Sequence, residues 1–477
     1  MTGRAFETKT KIVCTIGPAS DDRETLRELV RAGMDVARVN FSHGTRAEHA
    51  QAIALIREVA DEEGAVVAVL ADLQGPKYRI GRLAAPIELS RGDRISFTAW
   101  ASDGADRVIP LPHPDLIVGT RAGDRLLLND GTVEVDVREA RPEMLVGRVL
   151  VGGRLSSHAG IAAPGRSSDL DALTERDRDD ARFAIECGVD WVALSFVRSA
   201  GDLAQLRGLL DESEAGRGVS VVAKIERHEA FDRLSEILRT SDAVMVARGD
   251  LGVEMSPQRV PVLQKEIIRR SNRLGVPVIT ATQMLQSMVD NPRPTRAEAS
   301  DVANAILDGT DAVMLSAETA VGRHPVEAVA MIREISAIAE RAMTCRQSDA
   351  DSATERTHPV TDAIGRATVQ IAEELGAVLI VASTSSGYTA RQIARERPRC
   401  PIVAFTPRHT TLRRLALVWG VTPVLVPSYG STDEMLQSVG DLLQERGEAR
   451  SGDTVVVTGG VPVGTEGTTN FIKVQRI

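Results

Sequence analysis

Short apolar runs rich in β-branched residues punctuate the chain at 11–17, 36–41, 66–73, 190–197, 219–226, 243–248, 277–281 and 312–315. Between them apolar positions fall three and four apart, the period of an amphipathic helix. After the first run, Asp21 or Asp22 can cap a helix with Leu26, Leu29 and Val30 as its buried stripe and Gly33 as its stop. A later helix at 261–275 turns Leu263, Ile267 and Leu274 inward and ends at Gly275. Eight such runs with seven helical crossovers predict an α/β chain built on a closed (β/α)8 barrel, with a doubly wound open sheet as the second choice.

Residues 83–160 break this rhythm. Strand-like pieces such as 94–97, 125–128 and 133–137 alternate with turn signals such as Asp130-Gly131 and Gly152-Gly153, and helical period almost vanishes. A small β domain inserted after the third barrel strand is expected, hanging over the C-terminal rim as a lid. The barrel then occupies 1–82 and 161–345. A polar stretch at 347–357 marks a boundary, and residues 346–477 form a second α/β domain. Its strands are expected at 377–382, 401–405, 422–426, 454–458 and 471–476. A capping box of Ser431 with Glu434 opens a helix whose stripe is Met435, Val439, Leu442 and Leu443.

Composition removes several classes. A net charge of −9 with both signs interspersed leaves no basic stripe for nucleic acid. Aromatics make up 3% of residues, too few for base-stacking platforms. No apolar run nears the roughly 18 residues of a membrane span. Residues 1–11 have no apolar core of a signal peptide, and the scattered Cys14, Cys187, Cys345 and Cys400 suit reduced thiols, so a cytoplasmic protein is expected.

Chemistry gathers where the runs end. Lys224-Ile225-Glu226 closes one and Arg248-Gly249-Asp250 the next. As parallel neighbours they place two carboxylates and an ammonium at one rim. That set suits a hard divalent cation bridging an oxyanionic substrate. The plain alternative is two buried strands ending in solvated charge. Arg38 to Gly44 adds Arg, Asn, Ser and His in one turn, and an Arg fork matches phosphate. Asp72 to Arg79 presents Asp72, Lys77 and Arg79, with Gly75-Pro76 as a sharp turn. Thr282 and Ser316 with Glu318 end two further runs, where hydroxyls suit proton relay or carboxylate binding. In the last domain, Thr384-Ser385-Ser386-Gly387-Tyr388-Thr389 follows a strand and opens a helix, an arrangement that fits either an anion site or an ordinary cap.

These segments, with 291–304 and 11–20, resemble pyruvate kinase along nearly the whole chain. The resemblance implies a TIM-type barrel, a small β-barrel lid and a C-terminal regulatory domain, and transfer of the phosphoryl group of phosphoenolpyruvate to ADP. It implies that Lys224, Thr282 and Arg38 are catalytic. Arg38, Lys224, Gly249, Asp250 and Thr282 then bind the substrate, with Ser316 and Glu318 behind Thr282. Asn40, His43 and Arg79 lie on the nucleotide side, and Glu226 and Asp250 hold Mg²⁺ or Mn²⁺. Thr384, Ser385, Ser386, Gly387 and Thr389 resemble the effector-phosphate loop, beside a glycine-rich stretch at 458–470. A homotetramer is implied, with phosphoenolpyruvate, ADP and a phosphorylated effector as ligands, and with no nucleic-acid or membrane partner.

Two departures stand out. Family members activated by potassium carry Thr, Lys and Glu where this chain has Leu73, Gln74 and Lys77. Asn40, Ser42 and Asp72 match the potassium ligands, but an ammonium at Lys77 near Asp72 would replace the ion, so K⁺ is expected to be dispensable. Second, Ala159 stands where the family places a nucleotide-contacting lysine, with Arg154, His158 and Arg166 as possible substitutes. A barrel lyase or aldolase, and a phosphate sensor without catalysis, are the alternative readings. Formation of ATP from phosphoenolpyruvate and ADP separates them.

Overall fold

The computed structural model describes residues 8–100, 104–129, 131–165, 171–343, 359–461 and 469–477. The expected boundary at 347–357 and Arg166 lie outside the described residues. Eight parallel strands close into a barrel, neighbour to neighbour in chain order: Lys11–Ile16, Val36–Asn40, Ala68–Asp72, Trp191–Leu194, Ser220–Ile225, Ala243–Ala247, Val278–Ala281 and Ala312–Leu315. Successive side chains alternate between two apolar layers. Val13, Leu70, Trp191, Val222 and Met245 fill the inside, while Ile12, Cys14, Val69, Val221 and Val244 meet the surrounding helices.

Helix Arg23–Ala32 starts at Asp22, not Asp21; the Asp22 carboxylate accepts the N–H groups of Glu24 and Thr25. Helix Val260–Leu274 stops at Gly275, whose φ of 69° is left-handed. Leu263 and Ile267 are buried as expected, but Leu274, in the last turn, is half-buried.

Between the third and fourth barrel strands the chain leaves to build the lid. Its half-barrel sheet has six strands in the order Ile161–Ala162, Arg125–Leu128, Val133–Arg141, Met144–Val151, Arg94–Thr98 and Val108–Pro110. Ile87–Leu89 pairs separately with Gly153–Leu155. Phe97, Leu126, Val135 and Leu145 centre a core separate from the barrel's, which also draws in Tyr78, Ile80 and Ile161 from the two connecting segments. The apolar pattern gave no sign of the short helix Pro114–Gly119.

The last domain is a five-stranded sheet in the order Val421–Leu425, Ile402–Thr406, Leu379–Ser383, Thr454–Gly459 and Phe471–Arg476, antiparallel only at the final edge. Helix Thr432–Glu445 is capped by Ser431, which accepts the Glu434 N–H at 3.2 Å. The expected box is only half formed: the Glu434 carboxylate accepts the Gly430 N–H at 2.7 Å instead of that of Ser431. Met435, Val439 and Leu443 are buried, and Leu442 is half-buried.

This domain docks beneath the barrel, at the N-terminal ends of its strands, through Arg397. The side chain is 6% exposed and donates to Gly309 O at 2.6 Å and Asn272 Oδ1 at 3.0 Å. It pairs with Asp311 at 3.2 Å and lies 4.6 Å over the Trp419 ring.

Candidate active site

Lys224 is the hub of the opposite rim. Its Nζ lies 3.2 Å from Asp72 Oδ1 and 3.0 Å from Glu226 Oε1. It donates to Ser195 Oγ at 2.6 Å, and Ser195 donates to Leu73 O at 2.7 Å. Arg38 takes the other Asp72 oxygen from Nε at 2.7 Å and donates to Thr15 Oγ1 at 3.0 Å. Strand register produces this cluster: Arg38 sits two residues before the Asn40–Asp72 pair, and Asp72 faces Ala193, two residues before Ser195.

Charge and burial compete here. Burial disfavours the Lys224 ammonium, but Asp72 and Glu226 outweigh it and raise its pKa. Burial also opposes ionisation of Asp72, yet Lys224 and Arg38 hold it below the usual carboxylate range. Glu226 goes the other way: burial pushes its carboxyl up, Lys224 pulls it down, and Asp250 adds to the rise.

Glu226 and Asp250 fit a divalent cation. Glu226 Oε1 is buried with the Lys224 ammonium 3.0 Å away, and the Asp250 side chain, 36% exposed, opens to the cleft under the lid. Two hard oxygens with open positions around them suit Mg²⁺ or Mn²⁺, which keep several ligands for water and substrate. No cluster of three or more His, Cys, Asp or Glu suited to a metal occurs among the described residues.

At the next rim positions the backbone is bent into the left-handed region. Thr282 has φ 71° and Gln283 φ 53°. Thr282 Oγ1 accepts the Gly249 N–H at 2.9 Å. Arg248 fastens the bend, donating to Thr282 O at 2.7 Å and Ala281 O at 3.2 Å while pairing with Asp301 at 2.6 Å. Such strain persists where the surroundings over-determine it. Glu318 is fully buried and accepts the N–H groups of Ser316 at 2.7 Å and Leu285 at 3.0 Å. Ser316 Oγ is buried without a hydrogen-bond partner.

The nucleotide-side residues stand apart from this cluster. Asn40 Oδ1 accepts the Ser42 N–H at 3.2 Å, and His43 is exposed. Arg79 belongs to the lid edge, donating to His158 O at 3.0 Å, and Ala159 packs on the lid core. The expectation for Lys77 needs correcting: its ammonium lies 3.8 Å from Asp250, not beside Asp72, whose two oxygens already face Lys224 and Arg38. In the last domain, Thr384 Oγ1 accepts the Gly387 N–H at 2.9 Å, Thr389 meets Thr469 at 2.8 Å, and Ser385 O accepts from Thr411 at 2.8 Å. Most of the glycine-rich stretch, 462–468, lies outside the described residues. Sequence reasoning passed over Thr15, Ser195 and Arg248 as site residues. Each is a polar residue at the rim end of an apolar run, which was the available signal.

A cationic pair set over two carboxylates, at the C-terminal rim of a parallel barrel and beneath an inserted lid, defines an enzyme of phosphoryl transfer. Comparison with known proteins sharpens this. Residues 7–329 match the family model of the pyruvate kinase barrel domain, and 362–475 match that of its alpha/beta domain. Pyruvate kinase 2 of Synechocystis sp. is 47% identical over 474 residues, 98% of this chain and 79% of that protein. The pyruvate kinase of Geobacillus stearothermophilus is 46% identical over 472 residues, 98% of this chain and 80% of the relative. That of Sporosarcina psychrophila is 44% identical over the same length and the same shares. The chain belongs to the pyruvate kinase family, phosphotransferases that use phosphoenolpyruvate and ADP.

Proposed function

We propose that phosphoryl transfer from phosphoenolpyruvate to ADP runs over the Lys224 rim. The observation that carries this is the Lys224 ammonium, buried between Asp72, Glu226 and Ser195 with Arg38 on the far side of Asp72. Transfer of a phosphoryl group needs positioning and screening of spread negative charge more than covalent help. Arg38 grips phosphate oxygens, and Lys224 faces the group as it leaves the enolate oxygen. The Gly249 backbone, Asp250 and Thr282 hold the carboxylate end. Thr282, backed by Ser316 and Glu318, brings a proton to the enolate carbon. Glu226 and Asp250 hold Mg²⁺ or Mn²⁺, which when bound neutralises substrate oxygens as a Lewis acid. Asn40, His43 and Arg79 receive the nucleotide under the lid. The division of labour is a catalytic barrel at 1–82 and 161–345, a lid at 83–160 and an effector domain at 346–477. A lactate-dehydrogenase-coupled assay with phosphoenolpyruvate, ADP and Mg²⁺ tests the turnover; absence of ADP-dependent pyruvate would refute it.

Potassium is dispensable in this reading. Each Asp72 oxygen already faces a cation, and Lys77 adds fixed charge 3.8 Å from Asp250. Titrating K⁺ at constant Mg²⁺ leaves the rate nearly unchanged, while Lys77→Glu slows it in sodium buffer. Strong stimulation of the unmodified protein would instead mean that Asn40, Ser42 and Asp72 hold the ion.

The loop of Thr384, Ser385, Ser386, Gly387 and Thr389 binds a phosphorylated effector in this reading, and the working form is a cytoplasmic homotetramer. Sedimentation at working concentration is expected to give four subunits; a stable monomer contradicts it.

A further inference from the structure

Glu226 and Asp250 come from different segments. Glu226 follows the fifth barrel strand, and Asp250 lies in helix Arg248–Met255 after the sixth. A pair of metal-holding oxygens works only if the distance between them is fixed. The paired strands beneath them, with Ile225 opposite Val246, fix the backbone only up to the rim.

Beyond the rim the two segments meet through Arg227 and Glu254. Arg227 directly follows Glu226. Glu254 is one helical turn past Asp250, on the same face. Their side chains, each 8% exposed, pair at 3.1 Å. Arg227 also lies 5.7 Å over the Phe196 ring, and the Phe196 N–H donates to Glu226 Oε2 at 2.7 Å. Phe196 has φ 55°, so the ring under the guanidinium helps hold a bent backbone whose N–H aims Glu226. Burial of an arginine and a glutamate together is costly unless geometry is good. Glu254 Oε2 also lies 3.8 Å from His228 Nδ1, so the carboxylate is held from both sides. Arg227 and Glu254 line the same cleft as Asp250 and Lys77.

We propose that Arg227 is a positioning residue which, clamped to Glu254 and seated on Phe196, sets the spacing of Glu226 and Asp250 and so the affinity for the divalent cation. This rests on the assignment of those two carboxylates as metal ligands. Outer contacts that aim metal ligands commonly change affinity by about 10–100-fold when removed.

Direct binding of Mn²⁺ alone to the full chain, followed by the loss of free-ion electron paramagnetic resonance signal, provides the test. Removing a nearby positive charge would tighten cation binding if the field alone mattered. A lost clamp weakens it, so the two effects have opposite signs. Arg227→Met is expected to raise the Kd for Mn²⁺ about tenfold. If that variant does not fold by circular dichroism, Arg227→Met with Glu254→Gln, which keeps the net charge and leaves no buried lone ion, is expected to weaken binding by a similar factor. An unchanged or tighter Kd in either folded variant overturns the clamp. A Kd that Glu226→Gln leaves unmoved sinks the metal assignment itself, and the clamp with it.

Discussion

At Lys224 a single side chain is held against burial by two carboxylates and a hydroxyl. A methionine there keeps volume and loses the charge. Lys224→Met is expected to lower turnover about a hundredfold or more, the scale of losing one preorganised charge contact. Arg38 still matches Asp72, so the variant is expected to keep native circular dichroism. A loss under tenfold would remove Lys224 from the role given it. Which residues reach the rim was legible, because polar groups at the ends of apolar runs have nowhere else to go in a barrel. Which way they point was not. Lys77 turns to Asp250 and Ser195 to Lys224 beside left-handed turns at Gly75 and Phe196. At Gly75 a Cβ would stand 2.8 Å from Ser195 Cβ, so that contact depends on glycine. Nothing in the order of residues announces such a turn at Phe196 or Thr282.

Among the elements, the barrel strands were legible almost to their ends, since strands buried on both faces read as unbroken apolar runs. The lid was legible as β structure but not as a strand order, because six strands admit many pairings that local pattern cannot rank. At the cap before Thr432, Ser431 took its expected place, but only the path of the chain showed the Glu434 carboxylate bonding Gly430 rather than Ser431. Helix Val260–Leu274 offers a pH test away from the active site. Glu266 forks to Arg269 and Arg270 at 2.6 Å each, and these bonds, Arg269's foremost, pull its pKa from 4.5 to about 2. A carboxylate lowered on folding stabilises the native state above its unfolded pKa and loses that contribution as pH falls through the folded one. The window is therefore pH 4.5 down to about 2. Glu266→Gln is expected to flatten the acid limb of urea stability there by about 0.5 kcal/mol, the pair being largely solvent-screened. An acid limb as steep as before would show that the fork contributes nothing.

For the whole molecule, Arg397 makes the barrel and the last domain one unit. It bonds Gly309, Asn272 and Asp311 on the barrel and rests on Trp419 of its own domain. Arg397→Met leaves Asp311 without its buried cation, a change that costs about 3–5 kcal/mol. Calorimetry of the variant is expected to show the last domain melting ahead of the barrel. One unsplit transition at the original temperature would mean that docking rests on the apolar contacts of Leu417 and Ala416 instead. This docking was invisible in the sequence, since Arg397 reads as one more surface arginine at the end of a helix.

The lid's place in the chain also bears on synthesis. Leu73 and Ser195 touch across the barrel wall but are 122 residues apart. At roughly 5–20 residues per second, the ribosome delivers the third strand many seconds before the fourth. A half-built barrel would spend that time with an apolar edge open to other chains. The lid carries its own core around Phe97, Leu126 and Leu145, so it can fold while the chain is still emerging. Once folded, it brings residues 78 and 161 back together through the Ile161–Tyr78 bond, and the long gap becomes a short tether. A folded cover of the active site would thus also shorten the loop that the nascent barrel has to close.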